Sequence, residues 1–528
     1  MTEELIELFG GPDASGSLTD VLASRGFPLN ARCGQRGLCR GCMVDLVEGE
    51  LLDAAGETVF SGVAIRSCRM RLPGTGKVVL RIHPQAGISR APQVGETFFT
   101  DVPCEFSPLI PAVPGKDTVF AVDIGTTTVA VLLADAATGE ILARAGDFSA
   151  QIRFGDNVIT RIGAASSPVT RLEMRRALVE ETLAPLLEKA CQRAGRKVSQ
   201  LAGGVVAGNT TMLHILADED PSSLGIAPFT ARFLEGRGLQ SGDIGLPDGM
   251  PLHLLPGLSA YIGADITAGV HATGMTLDSA PSLLVDMGTN GEVVLCANGR
   301  LIGCATAAGP AFEGAGLSHG TRAQSGAVSG IRIGLEPFSL ETDVIGGDGP
   351  LSGICGSACI DFLSAARSCG LLQENGRFDR AKWRDLPEEH RLETEDGLSF
   401  RLGGDGSPAI SEIDIAHLLQ AKGAIGAGIE TLLTSAGVAA PEIGRVYLAG
   451  GFGMHVNVAN AIAIGLLPGF RPEQVRVVGN TALAGALIAL LDHTALDEME
   501  TLRGRIEVIE LNLQPGFEDC YIDHLALP

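Results

Sequence analysis

The sequence predicts a multidomain α/β protein made of a small β-rich module, an extended linker and a large domain of two lobes. Three observations predict it. Four N-terminal cysteines are grouped as CGQRGLCRGC and, 25 residues further on, RSC. The stretch 85–115 carries several prolines and no hydrophobic periodicity, as a linker does. Segments beginning at Val119 and Leu283 can be laid over one another as strand, Asp-x-Gly-Thr turn, strand, tight turn and strand. A chain of 528 residues, 45% apolar and 19% charged, holds more core-forming material than one ordinary domain packs. The expected units are 1–84, the linker 85–115, a first lobe at 116–275 and a second at 276–528.

In the first unit the expected elements are a strand at IELF, a helix at LTDVLASRG, a cysteine loop, a strand at CMVDLVEGEL and a closing strand at KVVLRI. The loop supplies Cys33, Cys39 and Cys42, and Cys68 returns from a later element. Three thiolates from one tight loop and a fourth from a distant one is what a [2Fe–2S] cluster requires. Gly34, Gly37 and Gly41 let the backbone curl with its N–H groups toward the sulfurs. Zinc or buried free thiols are the competing readings. Zinc sites pair C-x2-C with a second such pair or with histidines, and the first histidine here is His83. The order of elements fits a β-grasp [2Fe–2S] ferredoxin whose five-residue first interval is of the vertebrate rather than the plant type. Only GGPDASGS separates IELF from the helix, so the usual opening hairpin would be trimmed.

The large domain is read from its repeat. VFAVDIGTTTVAVLL places Asp123 at the end of an apolar strand, and LLVDMGTNGEVVL does the same for Asp286. In each case glycine and hydroxyl residues follow. Such a turn can hold phosphate oxygens on successive N–H groups, while the carboxylate takes Mg²⁺ directly or through water. RVYLAGGFGMHVNVANAIAIGLL adds a strand ending in Gly450 and Gly451, then an apolar helix; a plain strand-turn-helix crossover is the lesser reading of it alone. The three in order resemble the phosphate-1, phosphate-2 and adenosine motifs of the actin, sugar-kinase and Hsp70 superfamily, whose two lobes carry RNase H-like repeats around ATP. No GxxxxGK[ST] loop is present.

Other stretches are harder to assign. Asp156 and Asn157, Asn209 and Thr210, and Glu313 sit beside small residues as cleft loops do, or as helix caps do. Lys422, on an apolar helical stretch with Gln420, could face a phosphate or snorkel to water. Cys355 and Cys359 are four apart, but the bland reading of the eight remaining cysteines is buried thiol. The charged run 374–397, which holds the sole tryptophan, reads as a surface insertion. Dispersed histidines such as His214 and His455 read as structural, and no HExxH or GxSxG occurs. A net charge of −23 disfavours nucleic acid and anionic membranes. The acidic start MTEELIELF and the lack of an 18-residue apolar run point to a cytoplasmic protein with no membrane segment.

CGQRGLCRGC, VDIGTTTVA, GDNVITRI, AGNTTMLH, VDMGTNGE, AAGPAFEGAG, GICGSACID, QAKGAI, LAGGFG and GNTALAGA, in this order, resemble the ATP-dependent reductive activators of corrinoid proteins. The resemblance spans most of 30–500. It implies transfer of an electron from the cluster to the Co(II) corrinoid of a methyltransferase protein, restoring Co(I), with an external low-potential donor. By resemblance, Cys33, Cys39, Cys42 and Cys68 hold the cluster. Asp123 and Asp286 serve Mg²⁺ and the attacking water, Gly125, Thr126, Thr127, Gly288, Thr289 and Asn290 hold phosphates, and Gly450 and Gly451 face adenosine. The linker runs almost directly into VFAVDIGTT, where longer members carry an extra domain, which leaves docking and a homodimer open. The rivals are an activator of another low-potential enzyme, a redox-sensing Hsp70-like regulator and a sugar kinase.

Overall fold

The computed structural model describes residues 5–11, 16–27, 29, 35, 42–82, 96–100, 102, 104–155, 157–247, 249–347, 351–394, 397–451 and 453–528. Cys33, Cys39, Asp156 and the three loop glycines lie outside them.

The N-terminal module is a four-stranded antiparallel sheet in which Leu5–Phe9 and Met43–Glu48 flank Lys77–Ile82, with Val63–Arg66 beyond. Alternation decides its inner face: Ile6 and Leu8 point inward while Leu5, Glu7 and Phe9 stay exposed. Helix Leu18–Ser24, capped by Ser17 in a capping box with Asp20, buries Leu18, Val21 and Leu22 in the same core. Among the described residues one strand precedes the helix. The expected single strand after the cysteine loop divides, and Glu50–Leu52 leaves to pair with Thr58–Phe60.

The two lobes repeat one topology. Thr118–Ile124, Thr128–Asp135 and Ile141–Phe148 form an antiparallel meander, and Leu201–Gly208 then Pro251–Leu254 add in parallel to the first of them. Ser282–Met287, Gly291–Ala297 and Arg300–Thr306 repeat the meander, with Arg445–Ala449 and Val475–Gly479 in parallel. The central strands are buried along nearly their whole length, and only the aspartate interrupts each run. The second meander turns at Asn298-Gly299 with φ of 53° and 75°, the pair of positive values that a two-residue hairpin loop asks of Asn-Gly.

Two helices join the lobes. Ala264–Thr273 and Thr481–Leu491 follow Pro251–Leu254 and Val475–Gly479 and cross at Gly269 and Gly485. A Cβ on Gly485 would stand 2.6 Å from the Ala268 carbonyl oxygen, so glycine alone allows this approach. Thr481–Leu491 belongs late in the chain, yet Leu483, Leu487 and Leu490 lie in the first lobe's core.

The described half of the linker is docked as a strap. Thr97 accepts from Asn480 N, Phe99 N donates to Val478, Thr100 Oγ1 donates to Ala272, and Ser107 and Leu109 bind Leu491 and Leu490. It thus touches both joining helices. The 374–397 run is not a mere surface insertion: Trp383 is buried in the second lobe's core and its Nε1–H donates to Ser399 O at 3.2 Å. Among the described residues no helix is long and apolar enough to cross a membrane.

Candidate functional site

Because both Asp-x-Gly turns end equivalent strands at the same edge, the topology brings them face to face across a cavity of about 500 Å³. Asp123, Gly125, Thr126, Thr127, Asp286, Gly288, Thr289, Asn290, Gly450 and Gly451 all line it. Each lobe adds an asparagine that caps a helix and reaches a turn. Asn209 accepts from Met212 N and donates to Thr126 Oγ1 at 3.0 Å. Asn480 accepts from Leu483 N and donates to Asp123 Oδ2 at 2.8 Å. Cap and cleft residue are therefore one role at Asn209, and Asn157 caps helix Val158–Ala165.

Sequence reasoning missed two acids. Asp265 opens the first joining helix, and Glu292 lies opposite Asp286 on the neighbouring strand. With Asp123 and Asp286 they form a half-buried anionic set that lines the cavity. Burial raises Asp123 to about 6, against the hydrogen bond from Asn480. Burial, then the charge of Asp123, raises Asp265 to about 7. Burial, then Asp265 and Asp123, raises Asp286 to about 8, and burial, then Asp265 and Asp286, pushes Glu292 well up. No three of these carboxylates bring oxygens close enough to share one ion, so a divalent cation here would be held by one or two of them and complete its shell with water or phosphate oxygens, its charge relieving the repulsion.

A third element closes the front of the cavity. Glu313, at the end of the turn Pro310–Glu313, accepts from Thr127 Oγ1 and Thr289 Oγ1, each at 2.8 Å. One carboxylate thus joins the turns of both lobes. Gly450, at φ 93°, presses on the second turn: a Cβ there would be 2.5 Å from Met287 O and 2.9 Å from Asp286 Oδ1. Its smallness seats Asp286.

Lys422 takes neither expected course. It is buried and its Nζ donates to Ala526 O at 2.5 Å, holding the C-terminal segment, and burial lowers it to about 8. Burial pushes Cys355 up to about 12 and Cys359 well above the usual thiol range, so both stay protonated. His214 bridges Thr210 O and Arg232 N, a structural role.

In the module, Ser67 N donates to Cys42 O, which sets Cys42 beside Cys68. The hydrogen bond from Cys68, against burial, lowers Cys42 to about 6. Two buried thiols held together with one biased toward thiolate fit half of an iron–sulfur ligand set.

Comparison with known proteins adds to this geometry. The family model described as the C-terminal domain of RACo, the ASKHA domain, matches residues 280–528, and the RACo middle region matches 118–278. The corrinoid activation enzyme RamQ of Eubacterium limosum is 28% identical over a 571-residue alignment covering 96% of this chain and 95% of that protein. A Co(II) methylated amine-specific corrinoid protein reductase of Methanosarcina barkeri is 28% identical over 292 residues, 51% of this chain and 50% of the relative. The solved structure of a reductive activator for corrinoid, iron–sulfur protein superposes with a TM-score of 0.74 at 27% identity, covering 99% of this chain and 98% of that one.

Proposed function

The chain belongs to the RACo family, whose middle region and C-terminal ASKHA domain it carries in succession, and we propose that it is an ATP-dependent reductive activator of a corrinoid protein. The observation that carries the reading is the joining of a paired-cysteine module to a cleft where two equivalent aspartate turns face each other. One part is suited to electrons and the other to a nucleotide.

In this reading Cys33, Cys39, Cys42 and Cys68 hold a [2Fe–2S] cluster in a ferredoxin module at 1–84, which supplies one-electron transfer. Asp123 and Asp286 hold Mg²⁺ and orient the attacking water, with Asp265 and Glu292 adding negative charge around the cation. The hydroxyls and N–H groups of Gly125, Thr126, Thr127, Gly288, Thr289 and Asn290 receive phosphates, and Gly450 and Gly451 lie at the adenosine end. One electron passes to the Co(II) corrinoid of a methyltransferase protein, giving Co(I), and an external low-potential donor re-reduces the module. The protein works in the cytoplasm.

The energetic problem explains the cleft. Plant-type ferredoxins sit near about −400 mV, and each ~59 mV by which a one-electron acceptor lies lower costs a factor of ten. ATP helps only through different affinities for two states of the complex. Two lobes that meet at a pair of crossing helices supply those states.

The test is anaerobic. The reconstituted, reduced protein is mixed with a Co(II) corrinoid methyltransferase protein, and Co(I) absorbance is followed with and without Mg-ATP. Co(I) should appear with Mg-ATP and vanish in Cys39→Ala and Asp286→Ala. Co(I) formation indifferent to ATP would sink the proposal.

A further inference from the structure

Glu313 stands where a phosphate would be received, and this gives it a role that the proposed reaction does not yet include. Its two carboxylate oxygens take the hydroxyls of Thr127 and Thr289, one from each lobe, and those hydroxyls are 3.4 Å apart. A threonine hydroxyl has a single proton to donate. Given to Glu313, it is not available to a phosphate oxygen. A carboxylate also repels a phosphate in a partly buried site, where the interaction is screened less than in water.

The segment behind Glu313 is built to pass on a displacement. Gly314 lies directly against Thr321, where a Cβ would be 2.4 Å from the Thr321 carbonyl oxygen and 2.6 Å from its nitrogen. Gly320 meets the Gly314 carbonyl oxygen in the same way, at 2.2 Å. The two arms of the loop therefore touch backbone to backbone, with Gly314 next to Glu313 packed on Thr321 next to Arg322. Arg322 stacks on Phe148 of the first lobe, its guanidinium carbon 4.7 Å from the ring centre. Arg322 and Phe148 also wall a second cavity of about 520 Å³, whose opposite side is formed by Asp20 and Gln35 of the cysteine module. The loop thus spans the distance from the phosphate position to the module.

We infer that Glu313 is the residue through which the cleft registers the terminal phosphate of its nucleotide, and that Arg322 delivers that signal to the face of the electron-carrying module. Glu313 is a positioning residue in this scheme. It yields Thr127 and Thr289 to the phosphate, and the Gly314–Thr321 contact carries its displacement to the Arg322–Phe148 stack. The inference rests on the reading of the cleft as an ATP site.

The experiment uses the full-length, cluster-loaded protein and two variants. Glu313→Gln keeps the shape and removes the charge, so Mg-ATP should bind about ten-fold more tightly by calorimetry, a change of ~1.4 kcal/mol. ATP-dependent formation of Co(I) should fall, because binding no longer displaces the loop. Arg322→Ala should lower Co(I) formation to the same degree while ATP still alters hydrogen exchange across 307–320, because the loop still moves and only the stack that passes the movement on is gone. In the wild type, ATP should alter hydrogen exchange across 307–326, and in Glu313→Gln it should not. Equal or weaker ATP binding by Glu313→Gln, with the exchange response intact, would overturn the inference. Absence of ATP binding by the wild type would instead remove the cleft reading beneath it.

Discussion

The four carboxylates Asp123, Asp265, Asp286 and Glu292 oppose folding when they are charged together, and this makes the sign of a substitution depend on the cation. Asp286 is half-buried and feels both Asp265 and Asp123. Replacing it by the equally shaped asparagine removes the repulsion and also the proposed Mg²⁺ ligand. Asp286→Asn should therefore melt higher than the wild type in EDTA, by about 2–4 °C for each kcal/mol relieved. It should also lose the rise in Tm that Mg²⁺ gives the wild type. Thermal scans of both proteins, with EDTA and with Mg²⁺, read this directly. A variant that melts lower in EDTA would mean that Asp286 is held by contacts and not strained by charge. Lys422 shows the opposite arrangement, a single buried cation that a backbone carbonyl satisfies, and no phosphate is needed to explain it.

The joining helices are the elements on which the cleft depends. Gly485 lets them touch, and the extra methyl of Gly485→Ala meets backbone at Ala268, which cannot rotate away. The helices must separate, at a cost of about 1–3 kcal/mol, and Asn480 at the end of the moved helix leaves Asp123. Gly485→Ala should therefore lose stability to urea and bind Mg-ATP more weakly, whereas Gly504→Ala, with open space around it in helix Thr494–Arg505, should be neutral or slightly stabilising. Equal behaviour of the two variants would separate the crossing from the site. The same helices show how far the sequence can be read. Asp123 and Asp286 stood out because each ends an apolar run. Asp265 did not, although YIGADITAG and VVGNTALAG share the spacing of their small residues, because the repeat keeps the glycines and changes the polar residue. Glu292 was hidden by register. Seven residues separate Asp123 from its partner Ala130, but six separate Asp286 from Glu292, so a simple overlay slips by one beyond the turn. Trp383 went astray because a charged segment can still fold its one large ring inward. The strap shows no periodicity since single backbone N–H groups of Phe99, Ser107 and Leu109, the Thr100 hydroxyl and the irregularly spaced Phe98, Val102 and Ile110 hold it, and no repeating face does.

Over the whole molecule, the module and the lobes own separate cores: Ile6, Leu8, Val44, Val78 and Leu80 pack with Leu18 and Leu22, and none of them joins the core of either lobe. Changes at one site should then add to changes at the other unless the working cycle links them. Cys68→Ser removes one of the paired thiols without touching the cleft. The full-length variant should lose the visible absorbance of the cluster and all Co(I) formation, yet keep the Tm increment that Mg-ATP gives the wild type. Asp286→Asn should do the converse, keeping the visible spectrum while losing the Mg-ATP increment. If Cys68→Ser also abolished the Mg-ATP increment, the two halves would form one cooperative unit. The strap and the Arg322–Phe148 contact would then be structural supports, since an ATP signal can cross to the module only if both sides are stable in more than one arrangement.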